Sequence, residues 1–210
     1  MGVTIKNDLT WDTHTRNVLN NLKYYFRGFN RSCRLLTEDS RELLYNAVIA
    51  SRLSYCDCVW DKCSIDLSKK LQTIQNRSAR RILNQMPGVS AAPLMKRLGW
   101  MDLASKRKLH KLVLLHRLLL DKGPKGLRSK LSHYRRVAPI STRGAINDNL
   151  YIAGFKTDYI KKSFFHDTVK HWNSLPNGLR RIDNNRKFKE KLQAYFLAGT
   201  QQTTISDDEC

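Results

Sequence analysis

Nine basic side chains in two runs are what this chain offers to the chemistry of a partner: Lys69, Lys70, Arg77, Arg80 and Arg81, then Lys106, Arg107, Lys108 and Lys111. Ammonium and guanidinium groups repeated along a helix neutralise phosphates in a row, which grips a polyanion without reading its sequence. The same pattern also describes the solvated face of an ordinary amphipathic helix, and spacing alone leaves both readings open. Catalytic patterns are absent. The chain has no G-x-x-x-x-G-K-[ST], no G-x-S-x-G and no H-E-x-x-H. Its densest acidic group, Asp207-Asp208-Glu209, lies in a terminal tail that cannot hold metal ions rigidly. Asp57 and Asp61 bracket Trp60 and read as caps or as partners of Lys62. Cys56-x-Cys58-x4-Cys63 has the wrong spacing for a zinc finger, and no His follows at knuckle distance. These thiols are expected to be small buried side chains clustered with Tyr55 and Trp60. No catalytic residue, metal ligand or cofactor is expected.

Helices must position the basic runs. Leu67, Leu71, Ile74 and Ile82 fall on one face of a helix predicted over 65–84 and stopped by Pro87-Gly88. At about 100° per residue, Lys70, Arg77 and Arg81 line one flank of that face, and Lys69 and Arg80 lie opposite, towards solvent. A second basic amphipathic helix is predicted over 103–120, with Leu109, Leu112, Val113, Leu119 and Leu120 as its apolar side. Packed by their apolar faces, the two would present one continuous positive surface. Upstream, Val18, Leu22, Tyr25, Phe26, Phe29, Cys33 and Leu36 predict a helix over 12–36, with Gly28 its weak point. Thr37 is a good N-cap for the next helix, and Glu38 and Asp39 suit its positive end. Ser90 starts a short helix that Gly99 closes.

The rest of the chain has weaker signals. Residues 2–5 read as a strand closed by Asn7-Asp8. Lys122-Gly-Pro-Lys-Gly126 is the best internal boundary, dividing a helical region 1–122 from a segment 123–197. Residues 127–158 read as irregular, with one short strand pair around Leu150-Tyr151-Ile152. Helices are predicted over 159–175, stopped by Pro176, and over 187–197. The tail 198–210, polar and then acidic, is expected to be disordered. The fold class is mainly α.

Charge narrows the partner. The net charge is +20, and residues 61–136 hold 19 basic against 4 acidic side chains. Self-repulsion on that scale is tolerated where a polyanion is the normal partner. No stretch approaches the roughly 20 apolar residues of a membrane span, and the N-terminus lacks a hydrophobic signal core. With five cysteines and no secretion signal, the expectation is reduced thiols in the nucleus or cytoplasm and a nucleic-acid partner, not a membrane.

Two stretches carry a resemblance to a known family. One is Leu44-Tyr-Asn-Ala…Leu53-Ser-Tyr-Cys…Val59-Trp…Leu71-Gln-x-Ile-Gln-Asn-Arg-x-Ala-Arg-Arg-Ile82. The other is Ser163-Phe…Trp172-Asn-Ser-Leu-Pro176 with Phe188-Lys, and Leu98-Gly-Trp-x-x-Leu103 lies between them. Together they resemble the region after the palm in reverse transcriptases of non-LTR (LINE-type) retrotransposons, most like the jockey group. Gly2-Val-x-Ile…Leu9-Thr-Trp11…His14 is similar to the segment just downstream of the family's palm. The resemblance implies a thumb-like helical bundle over 1–122, residues 1–11 being the remnant of a palm-adjacent strand, and a C-terminal extension over 123–197. It implies that the nine basic residues contact RNA, DNA or an RNA/DNA hybrid, and that a palm-bearing polymerase polypeptide is a possible partner. The family's aromatic-x-Asp-Asp turn has no counterpart in this sequence. The expectation is therefore a non-catalytic, nucleic-acid-binding part of an RNA-directed DNA polymerase. Alternatives are an inert transposon-derived remnant and a truncated reading of an active enzyme.

Overall fold

The three- and four-residue rhythm of Thr15, Leu19, Leu22, Phe29 and Cys33 makes the first long helix, because only that spacing buries all five together. In the computed structural model this helix, α1, spans Asp12–Ser32 and runs on as a tight 3-10 turn at Cys33–Leu35. The structure describes residues 2–7, 10–131, 149–151 and 163–202, without the side chains of 200–202. Among these the chain is mainly α, with no strand. It divides into two compact units, Met1–Arg107 and Lys108–Cys210. The division falls inside a helix, upstream of Lys122–Gly126.

In the first unit, α2 (Glu38–Tyr45) starts at Thr37, whose Oγ1 accepts the Ser40 amide at 3.4 Å, as the cap residue predicts. It continues through a π-helical turn at Asn46–Ala50 into α3 (Ser51–Ser54), and α4 (Asp57–Trp60) follows. The next long helix, α5 (Ile65–Ile82), lies parallel to α1. At one end of the pair the Ser64 amide donates to Asp12 Oδ1 at 3.2 Å. At the other, Arg81 Nη2 donates to Asn30 O at 3.2 Å. Arg41 binds the carbonyls of Cys33 (2.8 Å) and Ile82 (3.1 Å), tying the start of α2 to the ends of both. The core between them holds Leu19, Leu22, Phe29, Tyr45, Ile49, Leu53, Trp60, Leu67, Leu71, Ile74 and Ile82.

Helix ends follow their caps more than the prolines. α5 stops at Asn84, which takes the left-handed conformation (φ +51°) while the Gln85 amide returns to Arg80 O at 2.8 Å. Pro87-Gly88 therefore lies beyond a helix that has already ended. α6 (Ala91–Arg97) closes on Gly99 (φ +65°), with the Trp100 amide bonded to Met95 O. Trp100 stacks on Tyr45 at 4.2 Å and donates to Glu42 at 3.0 Å, filling the junction. α7 (Leu103–Leu119) is capped by Asp102, whose carboxylate accepts the Ser105 amide.

In the second unit, α8 (Lys125–Leu131), α9 (Phe164–Asn173), a short turn α10 (Asn177–Arg180) and α11 (Asn185–Gln202) accompany the rest of α7. His116 stacks flat on Phe188 at 4.2 Å, with ring nitrogens 2.6 Å from Ile182 O and 2.9 Å from Asn185 Oδ1.

Several expectations are corrected. Residues 2–5 form no strand: among the described residues no backbone pairs with them, and the Thr4 amide donates to His14 Nδ1 at 3.4 Å. Residues 125–131 are helical, not irregular, and Leu131 is buried. Leu150 and Tyr151 are not in a strand: Asn173 takes both backbone groups of Leu150, its Oδ1 accepting at 3.0 Å and its Nδ2 donating at 2.9 Å. The other residue of the expected strand pair, 152, lies outside the described residues. The last helix begins two residues earlier than predicted and continues through 198–202, where disorder was expected; the remainder of the tail lies outside the described residues. α9 ends at Asn173, before Pro176. Cys56 is exposed and itself left-handed (φ +51°), and Cys58 and Cys63 are half-buried, so these three thiols do not form a buried cluster. No helix among the described residues is long and apolar enough to cross a membrane.

Candidate nucleic-acid interface

Burial sorts the nine predicted basic residues into three groups. Lys69, Lys70, Arg77 and Lys108 are exposed. Lys106, Arg80 and Arg81 are half-buried, and the two arginines bond backbone carbonyls: Arg80 Nε to Val89 O at 2.6 Å, Arg81 Nη2 to Asn30 O at 3.2 Å. Arg107 and Lys111 are inside, each 2% exposed. Arg107 lies 4.5 Å over the Trp60 ring and 3.8 Å from Asp61. Lys111 pairs with Asp167 at 2.9 Å. A charge removed from water is held by its partner and offers nothing to a phosphate, so these two leave the candidate set. The paired surface expected from α5 and α7 loses two of its four α7 residues in this way, leaving Lys108 exposed and Lys106 half-buried.

A different helix supplies the second stripe. Arg16, Lys23, Arg27 and Arg31 of α1, with Arg34 just after it, are all exposed. Their spacings of 7, 4, 4 and 3 keep them within one side of the helix at about 100° per residue. That side adjoins the edge carrying Asp12 and Asn30, the two residues of α1 that bond α5. On α5, Lys70 and Arg77 flank Arg81, the residue bonded to Asn30, and Lys69 lies further round. Because the helices are parallel, both stripes fall on the outer side of the pair, opposite the core. From Arg16 to Arg31 the stripe is about 22 Å long at 1.5 Å per residue.

The electrostatics agree. Asp66 is the acidic residue at the start of α5, and its carboxyl is held below the usual carboxylate range by a 2.7 Å hydrogen bond from Lys70 and by that ammonium's charge, with Lys69 and Arg16 adding to it. Asp12 and Asp66 both sit at the N-terminal end of the seam. Beyond them, among the described residues, none of Lys23, Arg27, Arg31, Arg34 and Arg77 has a carboxylate within ion-pair distance. Of the acidic residues between the two helices, Glu38 pairs with Arg97, Glu42 takes the Trp100 indole, Asp61 lies by Arg107 and Asp57 is buried, while Asp39 is exposed at the start of α2.

The α1 stripe was present in the sequence as a period of three and four. The acidic residues of 38–57 nearly cancel its charge, so the segment as a whole carries little net excess. Trp60 and Trp172 are buried and Trp100 half-buried, which places all three in packing roles. Burial pushes the Cys33 and Cys63 thiols up, the opposite of what a nucleophilic cysteine requires. No protein-family model matches the chain, and neither does any curated protein or solved structure.

Proposed function

We propose that this protein is a nucleic-acid-binding module without catalysis, and that its first unit holds the phosphates of a template–primer duplex along the α1–α5 seam. The observation that carries the reading is the pairing of two parallel helices whose exposed basic stripes share one outer side, with no carboxylate among the described residues within ion-pair distance of Lys23, Arg27, Arg31, Arg34 or Arg77. Lys69, Lys70 and Arg77 act there together with Arg16, Lys23, Arg27, Arg31 and Arg34. Arg80 and Arg81 pin helix ends, and Arg107 and Lys111 hold the interior. The grip is electrostatic and indifferent to base sequence, since side chains of this kind meet phosphate oxygens and no base edges. The thumb of a non-LTR reverse transcriptase, which the sequence resembles, is a natural setting for such a surface.

The test is the salt dependence of binding to an RNA/DNA template–primer. The logarithm of affinity is expected to fall with the logarithm of salt at about −0.9 per phosphate neutralised. Replacing Lys23, Lys70 and Arg77 together by Gln should flatten that slope by about 2.7, three contacts' worth, with cooperative thermal unfolding retained because all three are exposed. Affinity that is the same at about 50 and 200 mM salt, or a triple variant with the parent slope, would overturn the proposal.

A further inference from the structure

Across the basic stripe from α5, α1 and the α2–α3 helix form a groove of about 370 Å³. One wall is apolar, made by Leu44 and Val48, the latter within the π-helical turn that locally widens the helix. The other wall is α1, presenting Tyr24, Tyr25, Arg27, Gly28 and Arg31. Tyr24 is 72% exposed, unusual for so large a ring on a helix with a well-filled core. Its neighbour is held firmly. Tyr25 meets Tyr24 edge-on at 5.5 Å, and the Arg52 guanidinium covers the Tyr25 ring at 3.6 Å. Tyr24 is thus braced from one side and open on the rest.

Gly28 is a second, independent observation. A glycine in the middle of a long helix costs about 1 kcal/mol against alanine, and nothing among the described residues needs it. Its backbone is ordinary helix, and a Cβ there would meet no atom within 4 Å. The empty space above Gly28 lies in the groove, flanked along the helix by Tyr24 one turn before and by Arg27 and Arg31. An exposed aromatic face, two unpaired guanidinium groups and a clear floor between them match one chemistry: a flat ring carrying a phosphate.

We infer that the groove takes one unpaired nucleotide of the same strand whose duplex part lies on the α1–α5 seam. The base stacks on Tyr24 over Gly28, and its phosphate lies between Arg27 and Arg31. The inference rests on the seam reading, because those two arginines belong both to the stripe and to the groove. The bound strand then leaves the duplex at the C-terminal half of α1, and the protein favours a junction of paired and unpaired nucleic acid over a blunt end.

The experiment compares two probes on the full chain: a blunt RNA/DNA hybrid and the same hybrid with a short single-stranded extension containing 2-aminopurine. The extended probe should bind more tightly and its 2-aminopurine fluorescence should be quenched on binding. Tyr24→Ala should bring the ratio of the two affinities down about tenfold, within the range measured for stacking of one base, while Tyr24→Phe keeps both the ratio and the quenching. Gly28→Ala should raise the thermal midpoint and still lose the preference, a combination that damage to the fold cannot produce. If both probes bind with the parent salt slope but with equal affinity, or if Tyr24→Ala leaves the ratio and quenching intact, the groove proposal fails and the seam stands. If neither probe binds, the seam reading fails and takes the groove with it.

Discussion

Lys111 and Arg107 show that a basic residue type does not by itself fix the role of a side chain. Both are cations in a run that spacing marks as basic, yet each is buried against a carboxylate. The energetics of Lys111 are those of a pair, since an ammonium out of water is tolerated only with its partner present. Asp167→Asn should therefore cost on the order of 3 kcal/mol by leaving the ammonium uncompensated. The double change Lys111→Met with Asp167→Asn should recover most of that loss, because a buried ion pair replaced by an apolar group of similar shape is often neutral. Urea unfolding midpoints of the two variants decide it. Equal losses would mean that the carboxylate matters for something other than Lys111. Exposed Lys69 and buried Lys111 look alike in the sequence; what separates them is whether a facing element brings an aspartate to the site.

At the scale of the element, the ends of α5 and α1 determine whether the seam is straight and continuous. α5 is stopped by Asn84 in a left-handed turn, which places Arg80 and Arg81 where they bond the carbonyls of Val89 and Asn30. Alanine there pays for the Cβ clash that glycine avoids and that asparagine partly offsets by local hydrogen bonding. Asn84→Ala is expected to destabilise the chain by about 1 kcal/mol and Asn84→Gly to leave it level or slightly more stable. Thermal melts of the two variants measure this, and an alanine variant as stable as the parent would contradict it. Much of this element-level description was legible in the sequence. The Thr37 cap, the Gly99 terminator and the apolar rhythms of α1 and α5 are local signals with local causes. The end near Asn84 was anticipated but its cause was not, because asparagine competes with several turn types and Pro87-Gly88 is the louder signal. The Gly2–Ile5 strand failed for the converse reason: a strand is stable only with a partner, and four β-type residues say nothing about whether one exists.

For the whole molecule, a net charge of +20 acts in two directions. Self-repulsion weakens the folded state and salt relieves it, whereas salt also screens the attraction that binds a polyanion. Raising salt from about 50 to 200 mM should thus lift the thermal midpoint of the free protein while lowering its nucleic-acid affinity. Calorimetry and binding isotherms on one preparation test both signs. A midpoint that falls with salt would mean that surface ion pairs outweigh the repulsion. A cooperative transition in the same melt would also count against the reading of the chain as an inert remnant, which predicts partial folding or none.

The sequence by itself determined that the chain is mainly helical, where most of its helices run, and that it carries a large excess of positive charge. Those properties depend on residue type and on spacing within a few turns. Only the tertiary structure decided which basic residues meet solvent. It paired Arg107 with Asp61 and Lys111 with Asp167, withdrawing them from the surface, and it set α1 parallel to α5, so that five basic residues of a nearly neutral segment joined the exposed cations of α5. Pairing and exposure are properties of neighbours distant in sequence: 46 residues separate Asp61 from Arg107, and 56 separate Lys111 from Asp167. Helical period can say which side of a helix a charge occupies, but not what the fold places opposite it.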